Sequence, residues 1–133
     1  MTMNKNRTDL PARDFSSFPS TAPIHRLGGI FIRHNDYYRK TLYNNLLWLH
    51  AGGSYCDLHF RDGKHLTVSL CLASVLSQLP SDRFCRIHQS YAVNLHAITM
   101  FYGNTVCLGE REFPVSRTCR PDLLSRLNIL GNR

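Results

Sequence analysis

A mainly β fold with one helix inside it and one at its end is the architecture this sequence predicts, and three observations carry it. From Gly28 onward the apolar residues fall in short runs at close spacing, as strands do. Within "SYCDLHF" (54–60) polarity alternates, with Cys56, Leu58 and Phe60 on one side and Tyr55, Asp57 and His59 on the other. One internal stretch, "LCLASVLSQLP", breaks that rhythm: Leu72, Val75, Leu76 and Leu79 recur at helical spacing.

Taken in order, "IFIRHN" (30–35) and "YYRKTLY" (37–43) read as one or two strands. "LLWLHA" (46–51) reads as a short buried strand, broken by Gly52 and Gly53. The alternating segment then meets an Asp-Gly turn in "RDGK" and resumes through Leu66, Val68 and Leu70, which predicts a β-hairpin. Ser69 is the expected N-cap of the internal helix and Pro80 its stop. "FCRIH", "YAVN", "AITMFY", "TVCLG" and "REFPV" are all strand-like, with a turn at Gly103-Asn104. Phe84, Ile87, Tyr91 and Val93 are the expected buried anchors of that region. The closing helix starts within "SRTCRPD", with Pro121 in its first turn and Leu123, Leu124 and Leu127 as its apolar face. Residues 1–26 have no period and carry Pro11, Pro19 and Pro23, so a flexible arm is expected ahead of one domain over 27–133.

A chain of 133 residues fits that single domain. No apolar run reaches the ~18 residues a membrane span needs, and the first residues lack the apolar centre of a signal peptide. A cytoplasmic protein without membrane insertion is therefore expected. Cys56, Cys71, Cys85, Cys107 and Cys119 form no closely spaced pairs, so they read as reduced, mostly buried thiols. The 16 Lys and Arg against 9 Asp and Glu give +7, and Arg makes up most of the positive side. Guanidinium groups suit bidentate contacts with phosphate and guanine, so this balance favours a nucleic-acid partner.

Catalytic patterns are missing. There are no usefully spaced carboxylate pairs, no nucleophile elbow and no phosphate-cradling glycine loop, so neither an enzyme nor a cofactor is expected. A structural metal site is not expected either: Cys56 and His59 are three apart, but strand alternation sends them to opposite faces. What remains is a set of polar interruptions where strands end, in "AGGSY", "IHQSY" and "PVSRTCR". Singly, each reads as a turn or a cap, with Ser116 and Thr118 placed to cap the last helix. Together they offer Ser54, Tyr55, His88, Gln89, Ser90, Ser116, Arg117 and Arg120. That inventory suits phosphate contacts plus a few base-edge contacts, with Gln for adenine and Arg for guanine.

These residues also carry a resemblance. The order is a buried strand, a small-residue loop with Tyr55, an Asp-Gly hairpin, the short helix, "RFCRIHQSYAVN", two further strands, and "PVSR" before a terminal helix. It resembles the LytTR DNA-binding domain of bacterial response regulators over about residues 45–127, with a weaker extension to about 28. The resemblance implies an elongated antiparallel fold of several small sheets that sets loops into the major groove of double-stranded DNA. By position it implies base contacts from Tyr55, Gln89 and Arg117. Neighbouring Arg86, His88, Ser90, Ser116 and Arg120 would contact phosphate or position the loops, and Ser54, from the inventory of the first loop, is counted with the DNA-binding residues. It further implies paired repeat sites and a homodimer on DNA. Gln89 stands where many members carry Arg or another residue. The chain has no room for a receiver domain, so control is expected through expression level, a regulatory protein partner or the arm.

Overall fold

The computed structural model describes residues 28–131; the expected arm over 1–26 lies outside them. Among the described residues, ten strands form three antiparallel sheets. β1 (Gly29–His34) and β2 (Tyr37–Leu42) make a two-stranded hairpin. β3 (Leu46–Ala51), β4 (Cys56–Phe60), β5 (His65–Val68), β6 (Phe84–His88) and β7 (Tyr91–Asn94) form the central sheet in the order β5-β4-β3-β7-β6. β8 (Met100–Tyr102), β9 (Thr105–Leu108) and β10 (Arg111–Pro114) form the third, in the order β10-β9-β8. Helix α1 (Leu72–Ser77) precedes β6, and α2 (Arg120–Ser125) follows β10. Pro114 sits on an edge strand, where its missing N–H leaves no ladder bond unmade.

The β3, β7 and β6 part of the central sheet is buried on both faces, and neighbouring residues there divide between two cores. Leu46, Leu49, Cys56, Leu58, Phe84 and Ala92 pack with Leu72 and Val75 of α1 and with Leu79 just beyond it. Cys85, Ile87 and Val93 pack with Val106, Phe113, Val115 and Leu123 from the third sheet and α2. Two bulges adjust which residue faces which core. Trp48 follows Leu46 in the register against β4, so Leu46 and Leu49 reach the same core although three apart. In β6 the pairing steps from Arg86↔Ala92 to His88↔Tyr91, directly before the "HQS" turn. The expected anchors Phe84, Ile87 and Val93 are buried, and Tyr91 is half-buried. Burial pushes the thiols of Cys56 and Cys85 up to about 11, as fits inert core cysteines.

Some local expectations need correction. Ser69 is not the N-cap of α1: Cys71 holds that position and makes no side-chain capping bond. The helix ends at Ser77, short of Leu79, because the residue before Pro80 is disfavoured in helical geometry. Leu79 is buried all the same. In "AITMFY" the first residue, Ala97, ends a 3-10 turn (Leu95–Ala97), and only Met100–Tyr102 are strand.

An aromatic stack rims the second core. Trp48 lies on His59 with ring centroids 3.6 Å apart, His59 faces His65 at 5.4 Å, and Arg111 covers Trp48 at 5.2 Å. Burial, and then the neighbouring His65, hold the His59 imidazole below its ordinary range. The folded state thus binds fewer protons than the unfolded chain near pH ~6.5. This contribution to stability is complete above that range and is lost as pH falls through the lowered value. Melting temperature should therefore decline on acidification, and His59→Gln should flatten that decline. An equally steep decline in the variant would contradict the assignment.

Candidate nucleic-acid interface

The three polar loops belong to different parts of the chain, yet main-chain hydrogen bonds tie them together at one end of the central sheet. The Ala51 N–H donates to the Ser90 carbonyl at 2.8 Å, joining the loop before β4 to the β6–β7 turn. The Ser116 N–H donates to the Ile87 carbonyl at 2.8 Å, joining the loop before α2 to the same turn. Next to it, the Val115 N–H reaches the Asn104 carbonyl at 2.8 Å, which brings in the β8–β9 turn.

Each loop has a local reason for its shape. Gly53 has φ +79°, a left-handed conformation that suits glycine. At Gly52 a Cβ would fall 2.2 Å from the Tyr55 ring, so that ring lies directly over the glycine. The β6–β7 turn is braced from within. Arg86 donates through Nε to the His88 carbonyl at 3.2 Å and through a terminal nitrogen to the Gln89 carbonyl. His88 Nδ1 accepts from the Ser90 N–H at 3.0 Å. Before α2, the Ser116 hydroxyl accepts from the Cys119 N–H at 3.2 Å and lies 3.3 Å from the Thr118 hydroxyl.

This bracing separates the nominated residues into two sets. Arg86, His88 and Ser116 hold their own loops. Arg120 donates to the Gly103 carbonyl at 3.3 Å and covers the Phe101 ring, fastening α2 to the β8–β9 turn. By contrast, the side chains of Ser54, Tyr55, Gln89, Ser90 and Arg117 make no hydrogen bond or ion pair among the described residues. Of these, Ser54, Tyr55, Gln89 and Arg117 are exposed and Ser90 is half-buried.

Two features of this end escape a reading of the sequence. A cavity of about 310 Å³ lies between the first two loops and the start of α1, lined by Gly53, Arg86, Gln89, Ser90, Cys71 and Ala73 among others. A hydrogen bond with the Ser74 hydroxyl holds the exposed Cys71 thiol below its ordinary range. Asn104 is the other feature: its turn is visible in the sequence, but its place beside the loop before α2 rests on a long-range bond. Among the described residues, no three or more His, Cys, Asp or Glu side chains are grouped to hold a metal ion. Nor is any described helix long and apolar enough to cross a membrane.

Gly52 makes one consequence testable. Gly52→Ala should displace the exposed Tyr55 ring with little loss of stability, because the clash is with the far end of a side chain. If the ring takes part in binding, Gly52→Ala and Tyr55→Ala should weaken DNA retention alike, by about five- to tenfold. Unchanged binding by both variants, measured by fluorescence anisotropy, would remove Tyr55 from the interface.

A β scaffold that presents braced loops and free polar side chains at one end defines a loop-presenting recognition module. Residues 37–128 match the family model described as the LytTr DNA-binding domain, and the chain belongs to that family. Among solved structures, the fold is similar to one described as the LytTr DNA-binding domain of a methyl-accepting/DNA response regulator from Bacillus cereus. That pair shares 18% sequence identity at a TM-score of 0.64, covering 77% of this chain and 98% of the other. At that identity the likeness is one of fold, and it agrees with the mainly β, multi-sheet architecture expected from the sequence. No curated protein matches the chain.

Proposed function

We propose that the chain is a sequence-specific, DNA-binding transcription regulator of the cytoplasm that reads the major groove through its three braced loops. Tyr55, Gln89 and Arg117 contact base edges, and Ser54 and Ser90 contact phosphates. Arg86, His88, Ser116 and Arg120 are positioning residues that fix the loops from behind. The observation that carries this reading is the pair of main-chain bonds, Ala51 to Ser90 and Ser116 to Ile87, which places three separate loops on one end of a rigid sheet.

Loops anchored in this way lose little conformational entropy when they meet a ligand, so their polar groups act as a preorganised surface. The net charge of +7 supplies the long-range attraction to the duplex. Base contacts at ~1–3 kcal/mol each give modest discrimination for one protomer, so two protomers on paired repeats complete the specificity. The test is a salt series. Duplex binding should weaken steeply and linearly in log–log form as salt rises, and it should survive nonspecific competitor. Affinity for a protein partner with no retention of DNA would instead support a protein-interaction module on the same scaffold.

A further inference from the structure

Away from the loops, an open groove of about 630 Å³ lies between β2 and the β4–β5 turn. Arg39 and Lys40 line it from β2, and Arg61 and Lys64 line it from the turn. All four are exposed, and none is paired with a carboxylate among the described residues. The one acidic residue in the lining is Asp62, and an oxygen of its carboxylate already accepts from the Lys64 N–H at 2.9 Å. Protein surfaces ordinarily intersperse the two signs, so four unpaired cations around one groove form a place where an anion is held.

The wall formed by the turn is fixed. The Arg61 N–H donates to the Asn45 carbonyl at 2.8 Å, and its guanidinium donates twice to the Asn44 carbonyl, at 3.1 and 2.7 Å. The Phe60 N–H reaches the Lys64 carbonyl at 2.9 Å and closes the turn. By contrast, the Arg39 guanidinium and the Lys40 and Lys64 ammonium groups make no hydrogen bond or ion pair among the described residues. Their donors are left for a ligand.

Size, lining and position narrow what that ligand is. The volume falls within the ~300–1,000 Å³ of sites that take many atoms, beyond what one small oxyanion needs. Phe60 and Leu66 are the large apolar residues of the lining, and both are half-buried. The groove thus lacks the exposed aromatic anchors that protein interfaces use. Recognition by charge alone fits a sugar–phosphate backbone, with its evenly repeated charges. The site is also apart from the loops: β4 begins beside the first loop at Cys56 and ends at the groove with Phe60, about 13 Å further on. We propose that this groove is a second, sequence-independent DNA-backbone site, which holds a stretch of duplex other than the one at the loops. One chain thereby joins two stretches of duplex. The groove rests on DNA as the partner, as the loops do, but on none of their base contacts.

Nuclear magnetic resonance of the full chain, titrated at low salt with a short duplex of scrambled sequence, tests it. The amides of Gln89 and Arg117 and those of Thr41, Arg61 and Lys64 should shift in two separate steps, one for each equivalent of duplex. Arg39→Glu combined with Lys40→Glu and Lys64→Glu should weaken the groove step by at least about tenfold and leave the loop step in place. Lys40→Gln combined with Lys64→Gln should weaken it less, in the same direction. Unchanged amide signals from β3 and β7 in the free variants show that the domain remains folded. Shifts confined to the loops would overturn the proposal, and so would one equivalent of duplex that saturates both sets. A hexaglutamate peptide that shifts the groove amides at lower concentration than the duplex would overturn it too, by assigning the groove to an acidic protein segment. Shifts at the groove alone would contradict the role given to the loops and still assign the groove to DNA.

Discussion

Asn94→Asp should cost the domain at least about 4 kcal/mol, a large share of the ~5–15 kcal/mol that holds a domain of this size together. Asn94 is 1% exposed, the one fully buried polar side chain among the described residues. Its amide nitrogen donates to the Tyr43 and Leu46 carbonyls, both at 2.9 Å, and its oxygen accepts from the His96 N–H at 2.9 Å. One side chain therefore joins the end of β7 to the 3-10 turn at Tyr43–Asn45, which leads from the β1–β2 hairpin into the central sheet. Aspartate keeps the shape and the acceptor but loses both donors. Two hydrogen bonds are then lost from the buried interior, at a cost of ~1–3 kcal/mol each, and the Tyr43 carbonyl keeps only its bond from the Leu46 N–H. The new carboxylate oxygen points at those carbonyls, which adds the cost of burying an unpaired charge. Urea denaturation at neutral pH measures the loss. Part of it should return at acid pH, where the carboxyl is neutral. A midpoint that moves by less than ~1 kcal/mol equivalent would show that these bonds do not hold the hairpin in place.

Arg117→Ala should have the largest effect on recognition. Arg117 is exposed, follows the braced Ser116, and its side chain makes no hydrogen bond or ion pair among the described residues. Its loss should leave the unfolding midpoint within ~0.5 kcal/mol of the unaltered chain. Affinity for the preferred sequence should fall by ~1–3 kcal/mol, with discrimination lost at one or two base pairs and much less change on scrambled DNA. Arg120→Ala is the informative contrast. Arg120 holds the Gly103 carbonyl and the Phe101 ring, so its removal should loosen the loop and affect stability together with binding. Equal binding of Arg117→Ala and the unaltered protein to preferred and scrambled duplexes would show that Arg117 does not touch bases.

What the sequence revealed and what it hid differ by the range of the interaction. The β4–β5 hairpin was legible because alternation and the Asp-Gly turn are local, and both appear in the register Cys56↔Val68 through His59↔His65. "FCRIHQSYAVN" looked irregular for a reason that only tertiary structure supplies. Both faces of β6 and β7 are buried, against different cores, and a bulge shifts the phase just before the turn. The loops were legible as polar interruptions, but their convergence depends on bonds from Ala51 to Ser90 and from Ser116 to Ile87 across the fold. The same holds for the division of labour among the polar residues. Arg86 and Arg117 are alike in composition, and only the structure shows that one grips its own turn and the other is left free.

Three braced loops on one chain should read DNA sequence, and selection of bound duplexes from random DNA at physiological salt measures whether they do. The recovered motif should be built of two repeats at fixed spacing, with Gln89→Ala and Arg117→Ala each relaxing the preference at different positions of the repeat. Recovery of unenriched DNA, or of a motif that neither variant alters, would contradict it.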